Sequence, residues 1–287
     1  MSPANLSFKQ YSVLNLRCPL YLSLFAAPYL VVKTELVPNN LKQSIIEYLV
    51  QHDRGIADYA PLTNGKSALR RNNLFDQLSW ACKSDSVAEV ILTWHIATSI
   101  MEVKCSPRSE EESTSRRVAI RLSKYCAYLV AFHPELLPDN QDKAELVFED
   151  MKKELKGILG CQEYYLSLWR ARVKKIMERM RVEETMEATT DQGEIHVETG
   201  VQSDQNKVVM NGAKLGRLLI DEANSNGLET VWKVLADVWT ELIIFVAPSG
   251  DEERVMKGHE DVLAQGGEFI TMLWALTTHI GISRPAN

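Results

Sequence analysis

The chain has little cysteine and uses it without pattern. Cys18, Cys82, Cys105, Cys126 and Cys161 are odd in number, far apart and never spaced as Cys-x-x-Cys. That spacing excludes a zinc site and a secreted disulfide framework, and points to reduced thiols. Positive charge is in deficit: 32 Lys and Arg against 38 Asp and Glu leave a net charge of −6, so no global basic field exists to hold nucleic acid. No apolar run reaches the length of a bilayer span. Sustained alternation of apolar and polar residues, the mark of half-buried strands, is missing. So are Gly-x-Ser-x-Gly, the P-loop, Gly-x-Gly-x-x-Gly, His-Glu-x-x-His and the Glu-x-x-His pairs of di-iron bundles. These absences remove the enzyme classes that a motif can reveal, and leave no cofactor to expect.

What is present is helical. An apolar fraction of 45% supplies a core. After Pro38, the capping residues Asn39 and Asn40 precede an apolar face of Leu41, Ile45, Ile46, Leu49 and Val50. Gly55 ends that helix, and a turn at Pro61, Asn64 and Gly65 leads to a helical run from Lys66 to Ala81. Asp85 or Ser86 caps the next helix. Val87, Val90, Ile91, Trp94 and Met101 line one of its sides and Leu92, Ile96 and Ile100 the other, a pattern that belongs at the centre of a bundle. His95 flanks the main face and reads as a core histidine with its polar atoms satisfied. A fourth helix with Val118, Leu122, Tyr125, Cys126 and Leu129 in step stops before Pro134. Further helices are expected over 141–157, 162–186, 208–223 and 230–245. The fold class is therefore all-α, an irregular multi-helix bundle.

Two stretches have the composition of polar loops, residues 106–115 and 189–206. Between them, Arg170, Arg172, Lys174, Lys175, Arg179 and Arg181 form a basic stripe on one helix. Glu178, Glu183 and Glu184 dilute it, so it reads either as a solvated face or as a contact for an acidic partner or lipid. The first 34 residues contain Lys9, Arg17 and Lys33 but neither Asp nor Glu. Three readings stay open for this segment: an organelle presequence, an ordinary buried N-terminal segment, or a secretory signal with Leu20 to Ala27 as its apolar core. The apolar run Pro19 to Val32, broken by Pro28, falls short of the roughly 20 residues needed to cross a membrane. The domain division is then a targeting or membrane-associating segment over 1–34 and one helical domain over 38–287.

Near the C-terminus, HEDVLAQGGEFITMLWALTTHIG (His259 to Gly281) places Gly266 and Gly267 between two helical patterns, as a bend or a close backbone approach. Glu268 follows in the first turn of the second helix, where a carboxylate meets the positive end of the helix dipole. Glu268 and His279 are separated by about 16 Å along a straight helix, too far to share a small site. His259, Glu268 and His279 are read as capping and packing residues.

Three segments together resemble one family. SVAEVILTWHIATSI (Ser86 to Ile100), the pairing of LSKYCAYLV with HPELLP (Leu122 to Pro138), and VWKVLADVWTELIIFVA followed by the stretch above are similar to the C-terminal region of a large, grass-expanded plant family, the domain of unknown function 594. Typical members have several N-terminal membrane spans before this region, and the present chain does not. The resemblance implies a plant source and a helical domain in which Trp94, His95, His259, Gly266, Gly267, Glu268, Trp274 and His279 are family-motif structural residues. It supplies no activity. The expected function is a non-enzymatic protein-interaction module that binds a resident protein, with mitochondria as the expected location and the cytoplasm as the alternative. A peripheral membrane protein is the runner-up. An enzyme whose site assembles from distant helices comes third, with His95, His259, Glu268 and His279 and the thiol of Cys82 or Cys126 as its candidates.

Overall fold

A computed structural model describes residues 6–17, 29–53, 62–105, 113–190, 207–248, 257–260, 263 and 268–282. Four short strands come first: β1 (Ser7–Gln10), β2 (Leu16–Arg17), β3 (Tyr29–Leu30) and β4 (Lys33–Leu36). The longer helices are α1 (Asn39–Asp53), α2 (Lys66–Arg71), α3 (Phe75–Leu78), α4 (Val87–Lys104), α5 (Thr114–Phe132) and α6 (Gln141–Leu159). They continue with α7 (Cys161–Leu166), α8 (Trp169–Thr190), α9 (Val208–Asn226), α10 (Leu228–Val246) and α11 (Glu268–His279). The all-α class holds.

The bundle is assembled around α4. From Val87 to Met101 every residue of that helix except Glu89 is buried, because its neighbours α5, α6, α8 and α9 enclose it. Ser86 is the cap: its hydroxyl accepts from the Glu89 amide at 3.3 Å. Two core tryptophans find acceptors inside. The Trp94 indole donates to the Ala81 carbonyl at 3.2 Å, and that of Trp239 donates to the Thr98 hydroxyl at 3.0 Å.

The packing of α9 on α4 depends on two glycines. Gly212 and Gly216 of α9, one turn apart, face Ile96 and Ile100 of α4, also one turn apart. A β-carbon at Gly212 would sit 2.7 Å from the Ile96 side chain and 3.0 Å from the Thr93 carbonyl oxygen, whereas one at Gly216 would meet Ile100 at 3.1–3.2 Å. Only the missing side chain allows the backbone of α9 to come this near.

Three local features depart from the sequence expectations. The run from Lys66 to Ala81 is not one helix. It breaks at Asn72 and Asn73, the latter in the left-handed region at φ 58°, and resumes as α3 and a 3₁₀ turn over Ser79–Cys82. The helix expected over 162–186 is divided at Ser167 and Leu168 into α7 and α8. Strands exist that no apolar alternation announced: β1 alternates in burial, but its second buried position is the polar Gln10.

Those strands tie the N-terminus into the bundle. β1 pairs antiparallel with β4 from Ser7↔Leu36 to Gln10↔Lys33, and β2 pairs with β3. Phe8 packs against both Tyr125 of α5 and Phe269 of α11, its ring centroid 5.6 Å from each, and those two rings meet at 5.1 Å. The Tyr11 amide donates to the Lys124 carbonyl at 3.1 Å, and the Tyr11 ring meets Phe132 edge-on at 5.4 Å. Phe8, Tyr11, Val13 and Leu14 are all buried in the common core. Residues 1–5 and 18–28 of the acid-free segment lie outside the described residues, as do 106–112 and 191–206 of the two polar loops.

Candidate functional site

The motif histidines occupy separate places. His95 is fully buried in α4. Its Nε2 accepts from the Val13 amide at 3.3 Å, which puts the ring proton on Nδ1, where it bonds to the Ser123 hydroxyl at 2.8 Å. Burial, and secondarily the Lys124 charge, lowers its pKa to about 3. A neutral His95 thus links the N-terminal segment, α4 and α5. His259 is also buried, bonds through Nδ1 to the Thr271 hydroxyl at 3.0 Å and stacks on Trp274 at 4.8 Å between centroids. Burial lowers its pKa to about 4. His279 is exposed at the end of α11. Trp94 is a core residue. Gly266, Gly267 and the Glu268 side chain lie outside the described residues.

Carboxylates do the most organised polar work, and each of them holds the start of a helix. Glu241 of α10 is fully buried. It accepts from the amides of Gly65 (3.2 Å), Ser67 (3.1 Å) and Ala68 (2.6 Å) and from the Thr63 hydroxyl, with Arg71 at 3.8 Å. Gly65 turns the chain into this site at φ +100°, where a β-carbon would crowd Val238 and Cys82. Asp139 performs the same task for α4. It accepts from the amides of Val87 and Ala88 and from the Ser86 hydroxyl, each at 2.8 Å. Glu154 of α6 accepts from Val209 at 2.9 Å and Met210 at 3.0 Å, the first turn of α9. A phenol serves in the fourth case: Tyr125 OH accepts from the Ile270 amide of α11 at 3.1 Å. Free amides at a helix start carry partial positive charge, so a carboxylate from a distant element satisfies donors and dipole together. The price at Glu154 is visible, since burial raises its pKa to about 7 despite the two amides that lower it.

The basic stripe is divided by the fold. Arg172 is fully buried and donates to the carbonyls of Leu14 (2.8 Å) and Tyr164 (2.9 Å), so it is an internal tie rather than a contact residue. Lys175 is half-buried, bonded to the Leu159 carbonyl and Glu163, each at 2.8 Å. Arg179 pairs with Glu183 at 3.1 Å and Lys174 with Glu178 at 3.7 Å. Arg170 lies over the Trp169 ring at 5.9 Å, and Arg170, Lys174, Arg179 and Arg181 are exposed.

The thiols and clefts offer little chemistry. Burial pushes the Cys82 thiol up to about 12 and raises Cys126 as well, both away from the reactive thiolate. Among the described residues, no three His, Cys, Asp or Glu side chains gather as a metal would require. In a cleft of ≈ 120 Å³ lined by Trp80, Ser84, Glu89, Thr93 and Asn211, the Ser84 hydroxyl donates to Glu89 at 2.6 Å.

Sequence reasoning missed Glu241, Asp139 and Glu154, because a cap supplied from another element has no local spacing. One signal was present: Glu241 is a lone carboxylate before the apolar run LIIFV. The spacing of Gly212 and Gly216 was the other signal.

Residues 224–282 match the family described as protein of unknown function, DUF594. The match spans α10 and α11, whereas the similar segments in α4 and α5 lie before it. No curated protein and no solved structure matches the chain. No helix among the described residues is long and apolar enough to cross a membrane.

Proposed function

We propose that this chain, with its DUF594 segment folded into a helical bundle, is a non-enzymatic module that acts by binding another protein. The observation that supports this best is the use of its buried polar groups. Glu241, Asp139, Glu154 and Tyr125 are committed to helix starts, and His95 to a tie between three elements. Such groups fix a shape, and a fixed shape presents a surface. The surface that suits a partner is the outward side of α11. There Met272 is 41% and Ile280 37% exposed, with Ala275 and His279 also exposed and Leu276 half-buried. An apolar row at helical spacing is what a groove or a second helix of a partner accepts. Mitochondria are the expected setting, on the strength of the acid-free start, and the cytoplasm is the alternative.

A photo-crosslinking residue placed at Met272 tests the reading against the same residue at Lys153, an exposed position on α6. A discrete crosslinked protein from Met272 alone, recovered from the compartment where the tagged chain resides, is the expected result. Equal products from both positions, or none from either in a folded protein, would count against it.

A further inference from the structure

We propose that the corner between α7 and α8 is a contact for an anionic bilayer surface, separate from the protein-binding side of α11. Among the described residues, Leu168 has the greatest exposure of the large apolar side chains, at 79%, and Leu166, two residues before it, is 57% exposed. Both sit where the chain leaves one helix and starts the next, and at these exposures they project into solvent. Projecting apolar side chains suit insertion into a deformable layer.

Charge points to the same occupant. Trp169, half-buried, follows Leu168 at the start of α8, and Arg170 and Lys174 are exposed on the next turns. Arg172 is buried. The cations left at the surface of this segment are Arg170, Lys174, Lys175, Arg179 and Arg181, against the carboxylates Glu163, Glu178, Glu183 and Glu184, the first three paired within the segment and Glu184 paired with Arg217 of α9. The segment thus keeps a small positive excess on a chain whose net charge is −6. Leucines that enter the apolar layer beside an indole and cations at headgroup level form the combination by which interfacial segments hold acidic lipid.

Co-sedimentation of the full chain with phosphatidylcholine vesicles, with and without phosphatidylserine, tests this. The expected result is pelleting that requires phosphatidylserine and declines as salt is raised. Leu168→Asp should weaken it about tenfold or more, the factor for withholding one leucine from the apolar layer. Removing Arg170 or Lys174 should weaken it roughly fivefold for each charge. Lys153→Gln, an equal loss of one positive charge on the exposed side of α6, should leave it unchanged. Leu168→Ser provides a second variant without a new charge, and a thermal melt verifies that each variant is folded. No pelleting at low salt, or pelleting indifferent to Leu168, would overturn the proposal. So would Leu168-dependent self-association without vesicles, which would assign the corner to a second copy of the chain.

Discussion

Replacing Glu241 with alanine leaves the buried amides of Gly65 and Ala68 with no acceptor, while the Ser67 amide keeps the Thr63 hydroxyl at 2.9 Å. Each unsatisfied buried donor costs about 1–3 kcal/mol, so Glu241→Ala should lose about 2 kcal/mol or more in urea unfolding. Glu241→Gln keeps one acceptor oxygen and should lose less. His95 and Glu154 give the stability a pH dependence of opposite signs. His95 has its pKa lowered from 6.5 to about 3 in the fold, so the unfolded chain binds the extra proton first. Its contribution is complete above pH 6.5 and is lost as pH falls toward 3. Glu154 is raised from 4.5 to about 7, so its contribution is complete below pH 4.5 and is lost as pH rises through 7. The advantage of Glu154→Gln over the parent chain should therefore grow from pH 4.5 to 7, and unfolding at a series of pH values checks it. Little of this was legible beforehand. His95 was readable as a satisfied core residue from its place beside an apolar face. Its partners, Val13 and Ser123, belong to elements whose packing no local pattern fixes.

At the scale of elements, the apolar patterns of α4 and α5 were read best. α5 stops before Pro134 as expected, and α4 is central as its two apolar sides require. The signal overshoots on α1. Leu41, Ile45 and Leu49 are buried, but Ile46 and Val50 are exposed, and Tyr48 completes the inner face in their place. Apolarity identifies a helix more surely than it identifies the side that is covered. Sequence spacing alone also cannot distinguish a glycine that permits contact from one that merely weakens a helix. The two cases on this chain make opposite predictions. Gly212→Ala drives a β-carbon into Ile96 and the Thr93 carbonyl, and should destabilise by about 1–3 kcal/mol or more, since α4 is held on all sides. Gly157→Ala, within α6, meets nothing within 4 Å and should stabilise by about 0.5–1 kcal/mol through helix propensity and a less flexible unfolded chain. Thermal or urea unfolding of both variants decides whether the α4–α9 approach is as tight as the geometry requires.

For the whole molecule, the acid-free N-terminus matters most, because it bears on location and on folding at once. Phe8, Tyr11, Val13 and Leu14 are buried, the Tyr11 amide bonds to α5, and Arg172 and His95 hold Leu14 and Val13 from two further helices. Full burial of one large apolar side chain contributes about 1.5–3 kcal/mol. Loss of four approaches the whole stability of an ordinary domain, about 5–15 kcal/mol. A chain lacking residues 1–34 should therefore be strongly destabilised, with an early, broad thermal transition and loss from the soluble fraction. Deleting the segment would change folding together with any address it carries. Substitution separates the two. Lys9 and Lys33 lie at the surface of the β1–β4 ladder, where Lys9 bonds to the Thr34 hydroxyl. The double change Lys9→Glu and Lys33→Glu removes positive charge from the segment while leaving Phe8 and Tyr11 in place. If the N-terminus carries a mitochondrial address, this folded variant should lose mitochondrial localisation and keep its melting transition. If localisation is unchanged while the truncated chain is lost, the first 34 residues act through the core.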